Sequence, residues 1–527
     1  MHLEVALLIV LATVVALLVA AQALRLPYPI LMVLGGCAMA VIPGLPEVEL
    51  QPDLVLVILL PPILYAAAFF TPLRELRRNV GPISLLAVGL VLATMVVVAL
   101  VARHALGFGW AEAFVLGAIV SPTDPVAATA IARRLGVPGR IVTIVEGESL
   151  INDGTALVAY KFAVAAVVTG TFSLAEATGE FVWNVAGGIA VGVAVGAVVA
   201  AIRRRLDNPP VEVTIALFTA YFAYLPAEEL GVSGVLAAVT VGIYMGRLTS
   251  QLTSPTTRIQ GTAVWEIVVF LVNSALFVLV GLQLPAVMDG IEGVADWTLV
   301  GDGVLLAATV MLVRLAWVFP FTYLPRLLVR RVRDSGPAPP WRHTLLVAWT
   351  GMRGAVSLAA ALALPLATDA GADFPRRDLI IFLAFSVILG TLLVQGLTLP
   401  ALIRLLRVDD YDEQLEREES KARLLAVEAA LARIDELAAE EWVRDDTAER
   451  VRGAYDYRRR RFAARFEEDG DPQPFEERAA AYQRVLRELL DAQRAILLEL
   501  RNAGHINDEV MRRIERELDL EDSRLEI

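Results

Sequence analysis

A single cysteine in 527 residues, Cys37 within an apolar run, excludes an intrachain disulfide framework and any multi-cysteine metal site. Histidine is nearly as scarce. His2, His104, His343 and His505 lie far apart, so a histidine-rich metal cluster has nothing to build on. Isolated serines and acids occur, but no nucleophile elbow or phosphate loop stands in a context that would use it, and an enzyme reading is unsupported. Nothing calls for a bound cofactor or a nucleic-acid partner. Apolar surface, by contrast, is abundant: the hydrophobic fraction is 57% and the mean hydropathy +0.61, against an apolar share of about 45–50% in a soluble globular domain. Membrane lipid is the solvent this implies.

Charge is divided unevenly along the chain. From Val408 onward there are 33 acidic and 21 basic residues, and before it 25 of each, so the whole net charge of -12 sits in the tail. Two solvents follow, a bilayer for residues 1–407 and water for residues 408–527, and these are the two expected domains. A spanning helix needs about 20 mostly apolar residues. About thirteen candidates, some short or broken by Gly and Pro, centre near residues 13, 36, 62, 92, 122, 155, 191, 219, 239, 273, 312, 354 and 390. The expected fold is therefore an all-α polytopic membrane protein.

Orientation follows from arginine. With the N-terminus outside, the loops carrying Arg25, Arg74 to Arg78, Arg133 to Arg140, Arg203 to Arg205, Arg247 and Arg258, Arg326 to Arg342, and Arg404 and Arg407 all become cytoplasmic, while the opposite loops hold only Arg103, Arg376 and Arg377. An odd number of spans puts the tail inside a cell-membrane protein. The apolar stretch Val5 to Ala20 is preceded by Glu4 rather than a basic n-region, which favours a span over a signal peptide. Beyond Val408, apolar residues recur at helical spacing (Leu424, Leu431, Ile434; Leu486, Leu490, Leu497), with breaks near Gly470 to Pro474 and at Gly504. The expectation is a helical cytosolic module with coiled-coil character, and no motif in it names a ligand or partner.

A charged group inside a span costs about 2.5–3.5 kcal/mol on insertion scales, so each needs a partner, a wet cavity or a function. The densest polar run lies in the sixth span, from Glu146 to Thr155. At helical spacing Glu148 and Asn152 form one i, i+4 pair and Ser149 and Asp153 another, so oxygen ligands and a proton acceptor converge on one face. The plainer alternative, carboxylates that only clamp neighbouring helices, suits Glu148 better than Asp153. The fifth span is interrupted by Ser121-Pro122-Thr123-Asp124-Pro125, where two prolines unwind the helix and Asp124 is placed to offset the positive end of the helix that follows. Thr350 to Gly354 repeats the feature in the other half of the chain, with Arg353 beside the freed carbonyls. Two broken helices in corresponding halves point to an inverted repeat with a transport site near the midplane. Arg353, always charged, needs an anion or several carbonyls, and Glu148 is the expected partner, leaving Asp153 unpaired. Lys161 and Arg314 are read as snorkelling or helix-locking residues.

These motifs resemble the sodium/proton exchanger branch of the cation-proton antiporters. Gly147 to Asp153 is similar to its glutamate-serine-x-x-asparagine-aspartate signature, Ser121 to Val126 to its threonine-aspartate-proline crossover, Gly351 to Ala355 to its arginine motif, and Leu60-Pro61-Pro62-Ile63-Leu64 to its third span. The resemblance implies a thirteen-span homodimer with a dimer scaffold and a vertically moving ion-carrying core. It implies Asp153 as the exchange carboxylate, Ser149 and Thr123 as oxygen ligands of sodium, Asn152 as their helper, and Glu148 with Arg353 as a structural ion pair. Asparagine at 152, where the electrogenic branch has a second acid, implies one cation per proton. Where many relatives carry an acid in the third span, this chain reads Tyr65-Ala66-Ala67-Ala68, so one coordinating carboxylate has no counterpart and lithium or potassium stays open beside sodium.

Competition for one carboxylate that is immobile when empty would couple the two fluxes. A potassium or mixed-cation antiporter is the alternative within this class. From another class, a cation channel or membrane sensor would need a continuous lined pathway, whereas the charges here gather at one crossing.

Overall fold

A sequence that is apolar over most of its length must satisfy its backbone internally when it enters lipid, and the helix is the element that does so within one segment. The computed structural model describes residues 3–24, 27–42, 54–170, 174–289, 296–328, 330, 338–408, 413–463 and 473–523, and among these the chain is helical, with one isolated bridge between Ala367 and Asp373. It divides into two compact units, Met1–Tyr411 and Asp412–Ile527.

The first unit opens with α1 (Leu3–Leu24), α2 (Tyr28–Ala40) and α3 (Leu60–Phe70), the last preceded by a π-helical turn at Leu54–Leu59. A short α4 (Leu73–Arg78) leads to α5 (Val80–Ser84) and α6 (Val91–Ala105), continuous through a second π-helical turn. Then follow α7 (Trp110–Val120), α8 (Val126–Arg134), α9 (Gly139–Thr169), α10 (Leu174–Arg203), α11 (Pro209–Glu229), α12 (Gly234–Leu252), α13 (Pro255–Leu282), α14 (Leu284–Asp289), α15 (Asp296–Leu328), α16 (Trp341–Trp349), α17 (Ala355–Leu362) and α18 (Arg377–Leu406). Among the described residues eight helices are long and apolar enough to cross a bilayer, and four shorter apolar ones accompany them. Every expected span centre falls within a helix or, at 122 and 354, in a break between two.

Local chemistry marks several boundaries. Asn208, Ser233 and Ser254 each accept a hydrogen bond from a backbone N–H in the first turn of α11, α12 and α13, satisfying donors that the helix itself leaves open. Apolar side chains then sort into two main bundles. One large cluster is centred on α6 to α9 and α15 to α18, the other on α3 and α10 to α13. Between lipid-exposed helices there is no hydrophobic gain from association, so close packing through small residues carries the contact. Gly36 of α2 lies against the Val278 carbonyl of α13, and Gly281 of α13 against the Val33 carbonyl of α2, so a side chain at either would meet backbone.

The second unit comprises α19 (Glu413–Leu437), α20 (Asp445–Ala463), α21 (Gln473–Asn502) and α22 (Asp508–Ser523). Leu490, Leu497 and Leu518 are buried together with Ile506 and Ile514 packed against them. Arg494 donates to Asp491, Asp519 and Asp522 at 3.2, 3.0 and 2.9 Å, and these carboxylates raise its pKa above the usual arginine value.

Candidate functional site

The site begins with two interruptions that the sequence enforces. After Val120 the prolines at 122 and 125 remove backbone donors and the chain runs unwound to Val126, where the Asp124 Oδ1 accepts from the Val126 N–H at 2.9 Å. Asp124 thus stands at the N-terminus of α8. After Trp349 the second break runs through Gly351 and Arg353 to Gly354, and α17 restarts at Ala355. The breaks meet: the Asp124 N–H donates to the Met352 carbonyl at 2.8 Å. Arg353 spends its guanidinium on freed carbonyls, those of Val120 at 3.0 Å, Ser121 at 3.5 Å and Gly351. A Cβ on Gly354 would collide with the Asp124 carboxylate, so only hydrogen fits there. Gly354→Ala is expected to force the breaks apart at a cost of about 1–3 kcal/mol and to reduce transport at least tenfold; a thermal-unfolding midpoint and a flux assay on the variant check both.

Against this crossing runs α9, which carries the polar run through the bundle. Glu148, Ser149, Asn152 and Asp153 are all buried. The expected Glu148–Arg353 pair does not form. Glu148 is held instead by Arg314 of α15, in a two-pronged contact of 2.5 and 2.8 Å, with the two side chains 1% and 0% exposed. The reason is geometric: the breaks supply Arg353 with carbonyls, whereas Arg314 reaches the carboxylate while also donating to the Val347 carbonyl of α16 at 2.9 Å. Arg314 thus locks α15 to α9, one of the two roles expected of it, but it does so as the partner of Glu148, the place expected of Arg353. Its signal was a permanently charged group in the middle of an otherwise apolar span.

Thr123 donates to Glu148 Oε1 at 3.1 Å and accepts from Asn152 Nδ2 at 2.8 Å, so its hydroxyl belongs to the same network. Asn152 Oδ1 has no partner among the described residues. Asp153 differs. It is 7% exposed, and neither its carboxylate nor the Ser149 hydroxyl has a hydrogen bond or ion pair among the described residues. Both line a cavity of about 580 Å³ together with Thr123, Asp124 and, from α13, Glu266 and Asn273. At one end of the lining Arg133 and Glu146 pair at 2.6 Å. Lys161 contacts Glu228 at 3.7 Å on the exposed surface, away from this cavity. The structure thus brings Asp153, Ser149, Thr123 and Asp124 to one cavity and ties Glu148, Asn152 and Thr123 into a network behind it.

An unpaired carboxylate beside two crossed helix breaks, in a polytopic helical protein, defines the class of ion-translocating membrane proteins. Residues 9–405 match the family described as sodium/hydrogen exchanger, transmembrane, and the chain belongs to that family. It is 37% identical over 512 residues to an uncharacterised Na+/H+ exchanger of Mycobacterium tuberculosis, covering 95% of this chain and 92% of that protein. It is 37% identical over 388 residues to a sodium, potassium, lithium and rubidium/H+ antiporter of Bacillus subtilis, covering 72% of this chain and 58% of that one. The fold is that of the sodium proton antiporter MjNhaP1 from Methanocaldococcus jannaschii, with a TM-score of 0.58 at 18% identity over 77% of this chain and 100% of the other.

Proposed function

We propose that the chain is a monovalent cation/proton antiporter in which one proton and one cation compete for Asp153. The observation that carries this reading is the carboxylate of Asp153, buried, open to the cavity and without a partner among the described residues. Ser149 offers a free hydroxyl one turn away for a dehydrated sodium ion, with the Thr123 carbonyl and water completing its oxygen shell. Thr123's hydroxyl and Asn152 act one step back, orienting the ligands through Glu148.

Formal charge supports a stoichiometry of one to one. Arg314 and Arg353 stand against Glu148, Asp124 and Asp153, so the crossing is balanced when Asp153 holds one proton or one monovalent cation and carries a surplus negative charge when empty. Moving an uncompensated charge through low dielectric costs several kcal/mol. The loaded forms move and the empty one stays, which is the requirement for exchange by alternating access in a secondary active transporter.

Sodium is the proposed cation. A potassium or mixed-cation reading is favoured by one observation, the cavity wall at Ala66 and Ala67, which adds no carboxylate to the site, and by the Bacillus relative's range of ions. Residues 1–407 would form a thirteen-span domain with inverted repeats in the cell membrane, working as a homodimer, and residues 408–527 a cytoplasmic module. With the arginine-rich loops inside, the Arg133–Glu146 mouth faces the cytoplasm and the cavity is inward-open.

Proton flux in proteoliposomes under sodium, lithium or potassium gradients tests the proposal. Saturable, cation-driven proton movement that is indifferent to an imposed membrane potential is expected, and the ion series names the substrate. Flux that follows the potential would rule out one-to-one exchange, and unsaturable cation flux without protons would favour a channel.

A further inference from the structure

The cavity has a second carboxylate that neither the ion-pair network nor the helix caps employ. Glu266 lies on α13, within an apolar run from Ala263 to Gly281 that gives it no compensating neighbour in sequence. Among the described residues it has no hydrogen bond and no ion pair. A lone carboxylate at that position is costly if it meets lipid, and Glu266, exposed on α13, is among the residues that line the water-accessible cavity. Thr262, Glu266, Val269 and Asn273 recur at helical spacing as the stripe of α13 that lines the cavity. Trp265, buried and stacked on Tyr65 at 5.2 Å, lines the cavity too, and its packing holds the rotation of α13 that presents Glu266 there.

The other carboxylates along the wall are committed. Glu146 is paired with Arg133 at 2.6 Å, and Asp124 caps α8 through Val126. Asp153 and Glu266 are left, on different helices lining one cavity. The helices that carry them, α9 and α13, both start from arginine-bearing loops on the same expected face. Glu266 stands eleven residues after the start of α13 and Asp153 fourteen after the start of α9, so at about 1.5 Å per residue Glu266 is nearly one turn less far along its own helix from that face.

We propose that Glu266 is the cation-gathering carboxylate of this vestibule, the group that concentrates monovalent cations between the mouth and Asp153 without travelling with them. The inference rests on Asp153 being the exchange site. A fixed negative charge on a low-dielectric wall raises local cation concentration and entry, and its effect is set by charge and screening. Dispensing with Glu266 should therefore weaken cation use without uncoupling it.

The test compares wild type, Glu266→Gln, Glu266→Asp and Asp153→Asn in proteoliposomes, with sodium varied on the side of the arginine-rich loops and choline as the inert salt. At about 0.01 M ionic strength, where charges act over about 30 Å, Glu266→Gln should raise the half-saturating sodium concentration roughly three- to tenfold, the scale of one unit charge acting across a wet cavity. The saturated rate should change less than twofold. The shift should shrink at about 0.15 M, where the screening length is about 8 Å, and Glu266→Asp should restore the wild-type value. An unchanged half-saturation in Glu266→Gln, with Asp153→Asn silent in the same vesicles, would overturn the vestibule role and leave the exchange site standing. Loss of the saturated rate in Glu266→Gln would overturn it too, by making Glu266 part of the carrier itself. Exchange that persists in Asp153→Asn would remove the reading on which both rest.

Discussion

Asp153→Asn is expected to reduce cation-driven proton movement to the leak of protein-free vesicles. Asparagine keeps the size of the side chain and strands no partner, so the fold is retained, but it neither gains nor loses a proton at any accessible pH and offers a cation no negative charge. It also leaves the crossing balanced at all times, since Arg314 and Arg353 then face Glu148 and Asp124 alone. The variant is permanently in the state that a proton or cation would otherwise create, and exchange stops because nothing remains to be exchanged. Flux assays at matched insertion check this. If coupled flux survives, Asp153 is a structural residue and the carrier lies elsewhere in the cavity.

Arg314→Met is expected to be the most destabilising single change in the membrane unit. It leaves Glu148, 1% exposed, as an uncompensated buried charge, and breaking one side of such a pair costs about 3–5 kcal/mol. It also leaves the Val347 carbonyl near the end of α16 with the Thr350 hydroxyl alone, so the second break loses its link to α15. The double variant Glu148→Gln with Arg314→Met should recover much of that loss, because a neutral glutamine still accepts from Thr123 and no charge is stranded. Unfolding midpoints in detergent, together with the yield of inserted protein, measure the cycle. A mild Arg314→Met, with Arg353→Met severe and rescued by Glu148→Gln, would reinstate Arg353 as the partner of Glu148.

The contrast between the two arginines shows where reading the sequence stops. Glu146 to Thr155 stands out in an apolar chain because polar residues inside a span demand a reason, and this places Asp153 and Ser149 together on α9. Both helix breaks were equally readable, since proline and glycine act through the backbone of their own segment. Their mutual contact, Asp124 against Met352 and Gly354, was foreshadowed only as a pair of matching interruptions. Which arginine meets Glu148 depends on α15, 166 residues away in the chain, and no local pattern encodes that. The family resemblance implies Thr123 as an ion ligand, whereas packing commits its hydroxyl to Glu148 and Asn152. Glu266 did leave a trace, an acid in an otherwise apolar span, but its meaning appears only once Trp265 fixes which way the helix faces.

The most direct measurement is proton release on sodium binding by the purified protein in weak buffer, at a pH where the cation-free site holds its proton. One proton released per sodium bound in wild type, with neither binding nor release in Asp153→Asn, is the result that competition at a single carboxylate predicts. Sodium binding without proton release, or release that survives in Asp153→Asn, would contradict it.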